Sequence, residues 1–503
     1  ALPILTKKLK FEKHVRLFNM SKSISKNFLY NLLYQIVTLV SPLITVPYVS
    51  RILGKEGIGI FSYTNSITQY FILIGTLGIA SYGNRQIAYV RDDKNKLSRT
   101  FWSICVFKVI TTVLSLIFYL SIFSFDYQYG YIFIIQSINI LSATLDITWL
   151  FTGLEDFKKT VTRNLFMKIL CILGVFILVK TRNDLNIYIL LMALMNFLGN
   201  LIMWLYVPKI VLKVKLNLKE IFSNFKPTVY LFIPQLAVQI YSILDKTQLG
   251  ILSNVGEVGL YEQSQKIIRL LLGIITCLSA VMLPRMSNIF ANGDTKTMNK
   301  YFNVSLKCVT YISIPMAFGL IAISDQFVPW FFGPDFIQVS VLIKVLTPIF
   351  FFIGISSVMG NQYLIPTNRI RPYTFSVVLG SVVNLLLNLI LIPKYQAVGT
   401  CIASVFAEFS VALVQCILLK DCIDIGKFCI NLIKYIISGI VMIMVIKALT
   451  FSLESSVLTT MIQVLLGFIS YFLMLTMMKE EINLIAIKSI LSKIRKKDFV
   501  HFS

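Results

Sequence analysis

Residues 27–71 read NFLYNLLYQIVTLVSPLITVPYVSRILGKEGIGIFSYTNSITQYF. Two long apolar runs flank the short polar segment RILGKEG. About 20 apolar residues cross the hydrocarbon core as a helix. Lipid offers no partner to backbone N–H and C=O groups, so such a run must be helical. Outward from this pair the pattern repeats to the end of the chain. Of 503 residues, 56% are hydrophobic and 14% charged, against about 25% charged in soluble domains. The composition excludes a soluble enzyme and predicts an all-α integral membrane protein.

Fourteen spans are predicted: Asn27–Val49, Ile60–Tyr82, Phe101–Phe123, Tyr131–Thr152, Leu165–Val179, Leu185–Val207, Val229–Leu252, Val258–Leu283, Val304–Ile323, Phe336–Met359, Tyr373–Ile392, Val398–Leu419, Phe428–Ile446 and Val457–Met478. The net charge is +24. The basic residues lie mainly between spans, which reads as orientation by the positive-inside rule and not as a nucleic-acid surface. With the N-terminus cytoplasmic, the inner segments hold about 34 Lys and Arg and the outer loops about 6. Both termini are therefore expected inside, as are the loops Asn84–Arg99 and Lys209–Lys226. All connections are short, which disfavours a membrane glycosyltransferase or polymerase with a large external loop. Residues 1–26 form a basic tail, of which 1–19 are set aside as foreign to a native start at Met20, and 481–503 form a second basic tail.

The eight cysteines form no C-x-x-C pair, and the two histidines, His14 and His501, lie in the tails. No metal site or disulfide framework is expected. No G-x-x-x-x-G-K-[ST] loop is present, so ATP is not the energy source and no cofactor is expected. Trp102, Trp149, Trp204 and Trp330 sit near predicted span ends, as interfacial anchors do. Pro42 and Pro47, Pro234 and Pro315 are expected to kink the first, seventh and ninth spans. A weak repeat is present: Gly57-Ile-Gly-Ile-Phe opens the second span, and Glu257-Val-Gly-Leu-Tyr opens the eighth 200 positions later. Each follows a glycine-containing turn, Leu53-Gly54 and Val255-Gly256, as in transporters built from structural repeats.

The segments PYVSRILG at 47–54, YSILDKTQLG at 241–250 and LPRMS at 283–287, taken together, resemble the polysaccharide transporter (Wzx-type) oligosaccharide flippases of the MOP superfamily. The resemblance is sharpest over 27–90 and 229–288. It implies two pseudo-symmetric six-helix lobes, 27–209 and 210–425, around a central cavity of alternating access, plus helices 13 and 14 at 426–480. It implies translocation of an undecaprenyl-pyrophosphate-linked oligosaccharide to the outer leaflet of a bacterial cytoplasmic membrane, for capsule, exopolysaccharide or a related glycan. Polymerase and chain-length proteins would be its pathway partners. A teichoic-acid repeat unit is a close alternative cargo. A MATE-like cation or drug antiporter is the alternative from another class; it predicts an acid in the first span, and none is there.

A flippase must shelter sugar and phosphate, so charges inside spans are the candidates. Arg51, Lys246, Lys266, Arg269 and Lys344 are the expected cations of a pyrophosphate path. Glu262, Lys266 and Arg269 are spaced i, i+4, i+7 and share a helix face, flanked by Tyr261 and Gln265. Asn65 joins them as a sugar-binding group. Asp146, Asp245, Glu262 and Glu408 are candidates for ion coupling. The alternative for Glu262 and Lys266 is a structural pair, and for Asp245 a pairing with Lys266 or Arg269. Lys108, Lys307 and Lys434 read as side chains that snorkel to the interface. Asn196 with Asn200, and Asn384 with Asn388, read more readily as helix–helix hydrogen bonding.

Overall fold

The computed structural model describes the backbone of residues 2–485 and 487–488, and side chains at 37–38, 41–232, 239, 243–279, 281–485 and 487–488. His14, Pro234, His501 and most of the second basic tail lie outside the described side chains. The helix Leu2–Thr76 is broken at Gly54, whose φ of 66° and ψ of 179° only glycine adopts without cost. The break gives α1 (2–53) and α2 (55–76). Next come α3 (Lys94–Phe123), α4 (Gly130–Leu145), α5 (Phe157–Leu178), α6 (Leu185–Met203), α7 (Phe225–Leu252), α8 (Val255–Ala291) and α9 (Thr295–Phe332). Then follow α10 (Val339–Leu364), two halves of Ile370–Leu418 as α11 (370–395) and α12 (397–418), α13 (Ile425–Thr450) and α14 (Val457–Met477). The 49 residues of Ile370–Leu418 would run about 74 Å as one helix, more than twice the bilayer core. They reverse at Gln396, φ 52° and ψ −130°, and the next N–H, Ala397, donates to Glu257 Oε2 at 3.2 Å. Ten described helices have the length and hydropathy of a membrane span. Division at Gln396, with α1, α2 and α7, yields fourteen passes and a multi-pass membrane protein.

Three boundaries differ from the sequence expectation. The stretch read as the loop 84–99 is mostly helix: Ile79–Val90 follows a tight turn at Leu77 (φ 44°) and Gly78 (φ 71°), and buries Ile79 and Ile87. The fifth span begins at Phe157, eight residues before the expected Leu165. Its first two turns carry Lys158, Lys159 and Arg163, which mask the helix in a hydropathy reading. The fourth span breaks at Asp146, and a short helix resumes at Thr148–Gly153. The Asp146 carboxylate accepts from Thr148 N at 2.9 Å, bridging the break to the first residue of the new helix. Between α5 and α6, Asp184 accepts from the backbone N–H groups of Lys180 and Thr181, which hold its carboxyl below the usual range.

The helices group into two compact units, residues through Leu53 with Tyr63–Ile243, and Gly54–Ser62 with Leu244 onward. The division falls inside α7. In the first unit Phe101, Trp102, Trp149 and Trp204 form one aromatic cluster. Trp149 is 3% exposed, so its expected anchoring role does not hold. A Cβ on Gly83 would meet its ring at 2.5 Å; the helix after α2 packs directly on the indole. Lys108 also departs from expectation. It is the fifteenth residue of the thirty in α3, too deep to snorkel, and its buried ammonium donates to Asp146 O at 2.5 Å.

In the second unit Tyr435, Met442, Tyr471 and Leu475 pack among α9, α13 and α14. Beyond α14, Glu480 is buried, accepts from Tyr435 Oη at 3.1 Å, and pairs with Lys307 at 2.9 Å and Lys434 at 3.9 Å. These two lysines therefore staple the segment after α14 to α9 and α13. They do not reach out to an interface, because a buried carboxylate is the closer partner.

Candidate functional site

The repeat noted in the sequence becomes a contact in the second unit. A Cβ on Gly59 would lie 1.7 Å from Val255 O, and one on Gly259 would lie 2.0 Å from Lys55 O. The relation is reciprocal: residues 55 and 59 face 259 and 255, at the offset of 200. Only glycine lets the starts of α2 and α8 cross this closely. One turn further the same offset recurs, and Ser62 Oγ donates to Glu262 Oε2 at 3.0 Å.

Glu262 is the centre of a charged cluster. Lys246 of α7 forms an ion pair with its Oε2, and Lys266 reaches its Oε1 at 3.7 Å. Glu262 and Lys246 are 15% and 16% exposed. Arg269, nearly two turns beyond Glu262 on α8, is exposed and has no ion pair among the described residues. Two lysines thus face one carboxylate, with Arg269 further along the same helix, which leaves positive charge within membrane-spanning helices. Such an excess suits an anion and repels a cation.

One residue before Lys246, Asp245 turns into a different setting. Successive helical residues point about 100° apart. The Asp245 carboxylate is 4% exposed. It accepts from Tyr261 Oη at 2.6 Å, Ser404 Oγ at 3.0 Å and Asn388 Nδ2 at 2.7 Å. That amide nitrogen also faces Gln248 Oε1 at 3.1 Å and Asn384 Oδ1 at 3.2 Å. Two amide protons cannot serve three oxygens. Asn388 Oδ1, Thr400 Oγ1 and Asn384 Nδ2 are buried without a hydrogen-bond partner. The pocket thus gathers several side-chain oxygens around one buried carboxylate, the ligand type that hard cations take.

Residues 24–290, just over half of the chain, match the family described as "Polysaccharide biosynthesis protein". The chain belongs to that family. It is 25% identical over 391 residues to the "Putative O-antigen transporter" of Escherichia coli (strain K12), covering 77% of this chain and 94% of that one. It is 26% identical over 196 residues to the "Probable low-salt glycan biosynthesis flippase" of Haloferax volcanii, covering 38% of this chain and 40% of that protein. The fold is similar to that of the lipid II flippase MurJ in an inward closed conformation, with a TM-score of 0.72, 18% identity, and 90% of this chain and 99% of that chain covered. An inward-facing multidrug resistance MATE family transporter of the MOP superfamily gives a TM-score of 0.58 at 11% identity, covering 78% and 95%.

Among the residues singled out in this family member's sequence, the structure brings Lys246, Glu262 and Lys266 together. It places Tyr261 and Gln265 elsewhere: Tyr261 is buried against Asp245, and Gln265 Nε2 donates to Tyr261 Oη at 2.8 Å. The pairing of Asp245 with Lys266 or Arg269 does not occur, because neutral donors from α8, α11 and α12 occupy the carboxylate. Lys344 pairs with Asp325 of α9. Glu408 is half-buried in α12. In the first unit, Arg51 is exposed one turn before Gly54, and Asn65 accepts from Gln69 Nε2 at 3.5 Å. Asp146 bridges the break in α4. Sequence reasoning missed Ser404 and Gln248, which carry no charge and come from distant helices.

Proposed function

We propose that this protein is a flippase for a lipid-linked oligosaccharide, moving an undecaprenyl-pyrophosphate-linked repeat unit across a bacterial cytoplasmic membrane by alternating access around a central cavity. The observation that carries the reading is the charge excess of Lys246, Lys266 and Arg269 over Glu262 in spanning helices. A diphosphate supplies the missing negative charge, and charges at this depth face an internal path by default. The family membership, and relatives whose names specify an O-antigen transporter and a glycan biosynthesis flippase, support the same cargo class. An apolar groove of about 410 Å³ lined by α8, α9, α13 and α14, Pro315 and Gly319 among its residues, offers a surface for a lipid tail.

The Asp245 pocket is the coupling site in this reading. A sodium ion or a proton there would neutralise the buried Asp245 carboxylate. The positive-inside count supports cytoplasmic termini, and polymerase and chain-length proteins are the expected pathway partners. A teichoic-acid unit presents the same anionic linkage and fits the same cluster. A cationic drug does not, because the cluster repels it.

Translocation of undecaprenyl-pyrophosphate oligosaccharide in proteoliposomes tests the reading. Intact protein is expected to flip the lipid, and folded Lys266→Ala and Arg269→Ala variants to flip it at least about tenfold more slowly, the effect of one charged contact. Export of a cationic dye without lipid flipping would replace this reading with the antiporter one.

A further inference from the structure

The first unit holds a cavity of about 540 Å³ whose lining includes no residue of the Glu262 cluster or the Asp245 pocket. It is walled by α1, α2, α4, α5 and α6, and its size is that of a small-ligand site. One face of α5 supplies two cations to it, Arg163 and Lys168. Lys168 is the twelfth of the 22 residues of α5, so about 16 Å of helix lies on either side of it. At that depth a lysine ammonium needs a partner or an aqueous cavity. Among the described residues no ion pair holds it, and the cavity is where it points.

Arg163 is fixed in place by amide oxygens. Its Nη1 donates to Asn200 Oδ1 at 2.7 Å, and its Nε and Nη2 donate to Asn164 Oδ1 at 2.9 and 2.5 Å. Asn200 is itself held, its Nδ2 donating to Ser142 O at 2.9 Å. Asn139 and Asn196 also line the space, joined by a loose 3.5 Å contact. Asp146 is the one carboxylate in the lining, and its Oδ1 already accepts from Thr148 N and Oγ1 at 2.9 and 2.5 Å. The lining carries two cations against one occupied acid, with several side-chain amides. Cations recognise an anion, and amides with both donor and acceptor atoms match sugar hydroxyls.

We propose that this cavity is a binding site for an anionic carbohydrate, a sugar that bears a carboxylate or a phosphate. The proposal rests on the flippase reading for the source of that sugar, which is then a unit of the lipid-linked glycan. Lys168 supplies the charge contact, Arg163 a second one, and Asn139 and Asn196 the hydroxyl contacts. The expected basis for cargo selection is thus an intramembrane site inside the first unit, separate from the Glu262 cluster.

Calorimetry on the full-length protein in detergent tests this with four probes: methyl glucuronide, glucose 1-phosphate, methyl glucoside and inorganic pyrophosphate. At least one of the two anionic sugars is expected to bind about tenfold or more tighter than methyl glucoside, as one charged hydrogen bond confers. Tight glucuronide binding assigns the anion to a uronic acid, and tight glucose 1-phosphate binding assigns it to a sugar phosphate. Lys168→Gln is expected to abolish the preference and Lys168→Arg to keep it. Equal binding of methyl glucoside by the intact protein overturns the proposal. So does pyrophosphate binding as tight as that of the sugar phosphate and equally weakened by Lys168→Gln, or an unchanged preference in folded Lys168→Gln; pyrophosphate binding that Lys168→Gln leaves intact is that of the Glu262 cluster. The probe comparison on the intact protein decides even if the glutamine variant fails to fold. Lipid-linked glycan flipping without any anionic-sugar preference sinks the cavity proposal and leaves the flippase reading standing. The preference without flipping does the reverse.

Discussion

Asp245 and Lys246 are neighbours in the chain and opposites in their surroundings. Asp245 is enclosed by neutral hydrogen-bond donors. Lys246 points into a cluster where cations outnumber the carboxylate. A rotation of about 100° on one helix separates the two. One helix can thus hold a cation-seeking and an anion-seeking site without mutual neutralisation. Motion of α7 would then act on both at once, which is the physical requirement for coupling an ion to a cargo.

That contrast can be broken or sharpened in graded ways. Gly259→Val places a branched side chain against Lys55 O, where a Cβ would already sit at 2.0 Å. Overpacking against backbone of this kind costs about 3 kcal/mol, and the unfolding midpoint of the purified protein is expected to fall sharply. Asp245→Asn keeps a hydrogen-bonding side chain but removes the charge. The gradient-driven transport rate is expected to drop about 100-fold, equivalent to about 2.7 kcal/mol, with folding retained by circular dichroism. Lys246→Gln takes one of the two cations paired with half-buried Glu262. A loss of about 2 kcal/mol is expected, toward the low end for a broken buried pair because Lys266 remains. In a double-mutant cycle with Glu262→Gln most of that loss should vanish, since no carboxylate is then left uncompensated. Arg269→Ala should change stability by less than about 0.5 kcal/mol, as surface substitutions do, while slowing lipid flipping about tenfold.

Much of the fold was legible because hydropathy alone encodes it. The spans around residues 27–71 follow from the cost of unsatisfied backbone in lipid, and the turn at Gly54 from a residue that tolerates positive φ. Hydropathy fails where a helix carries charge. The basic first turns of α5 hid the start of that helix and left Arg163 outside the drawn span. Lys168, near the edge of that span, then passed unnoticed. It fails again where a span is interrupted, as at Asp146, since a bridged restart looks apolar on both sides. The candidate site was legible in part. The i, i+4 spacing of Glu262 and Lys266 is local and shows on the helix surface. The Asp245 pocket is not local: Asn388 and Ser404 come from 143 and 159 positions away, a juxtaposition only the fold creates. Tyr261 shows the remaining error. It sits beside Glu262 in sequence but on another face, so it serves the acid and not the cations.

The central claim is that Asp245 governs the ion and the Glu262 cluster governs the cargo. The most direct measurement is lipid-linked oligosaccharide flipping in proteoliposomes under imposed sodium and proton gradients, for the intact protein, Asp245→Asn and Arg269→Ala. Asp245→Asn is expected to lose the gradient response of the intact protein, and Arg269→Ala to flip more slowly yet keep that response. An unchanged gradient response in folded Asp245→Asn would contradict the claim.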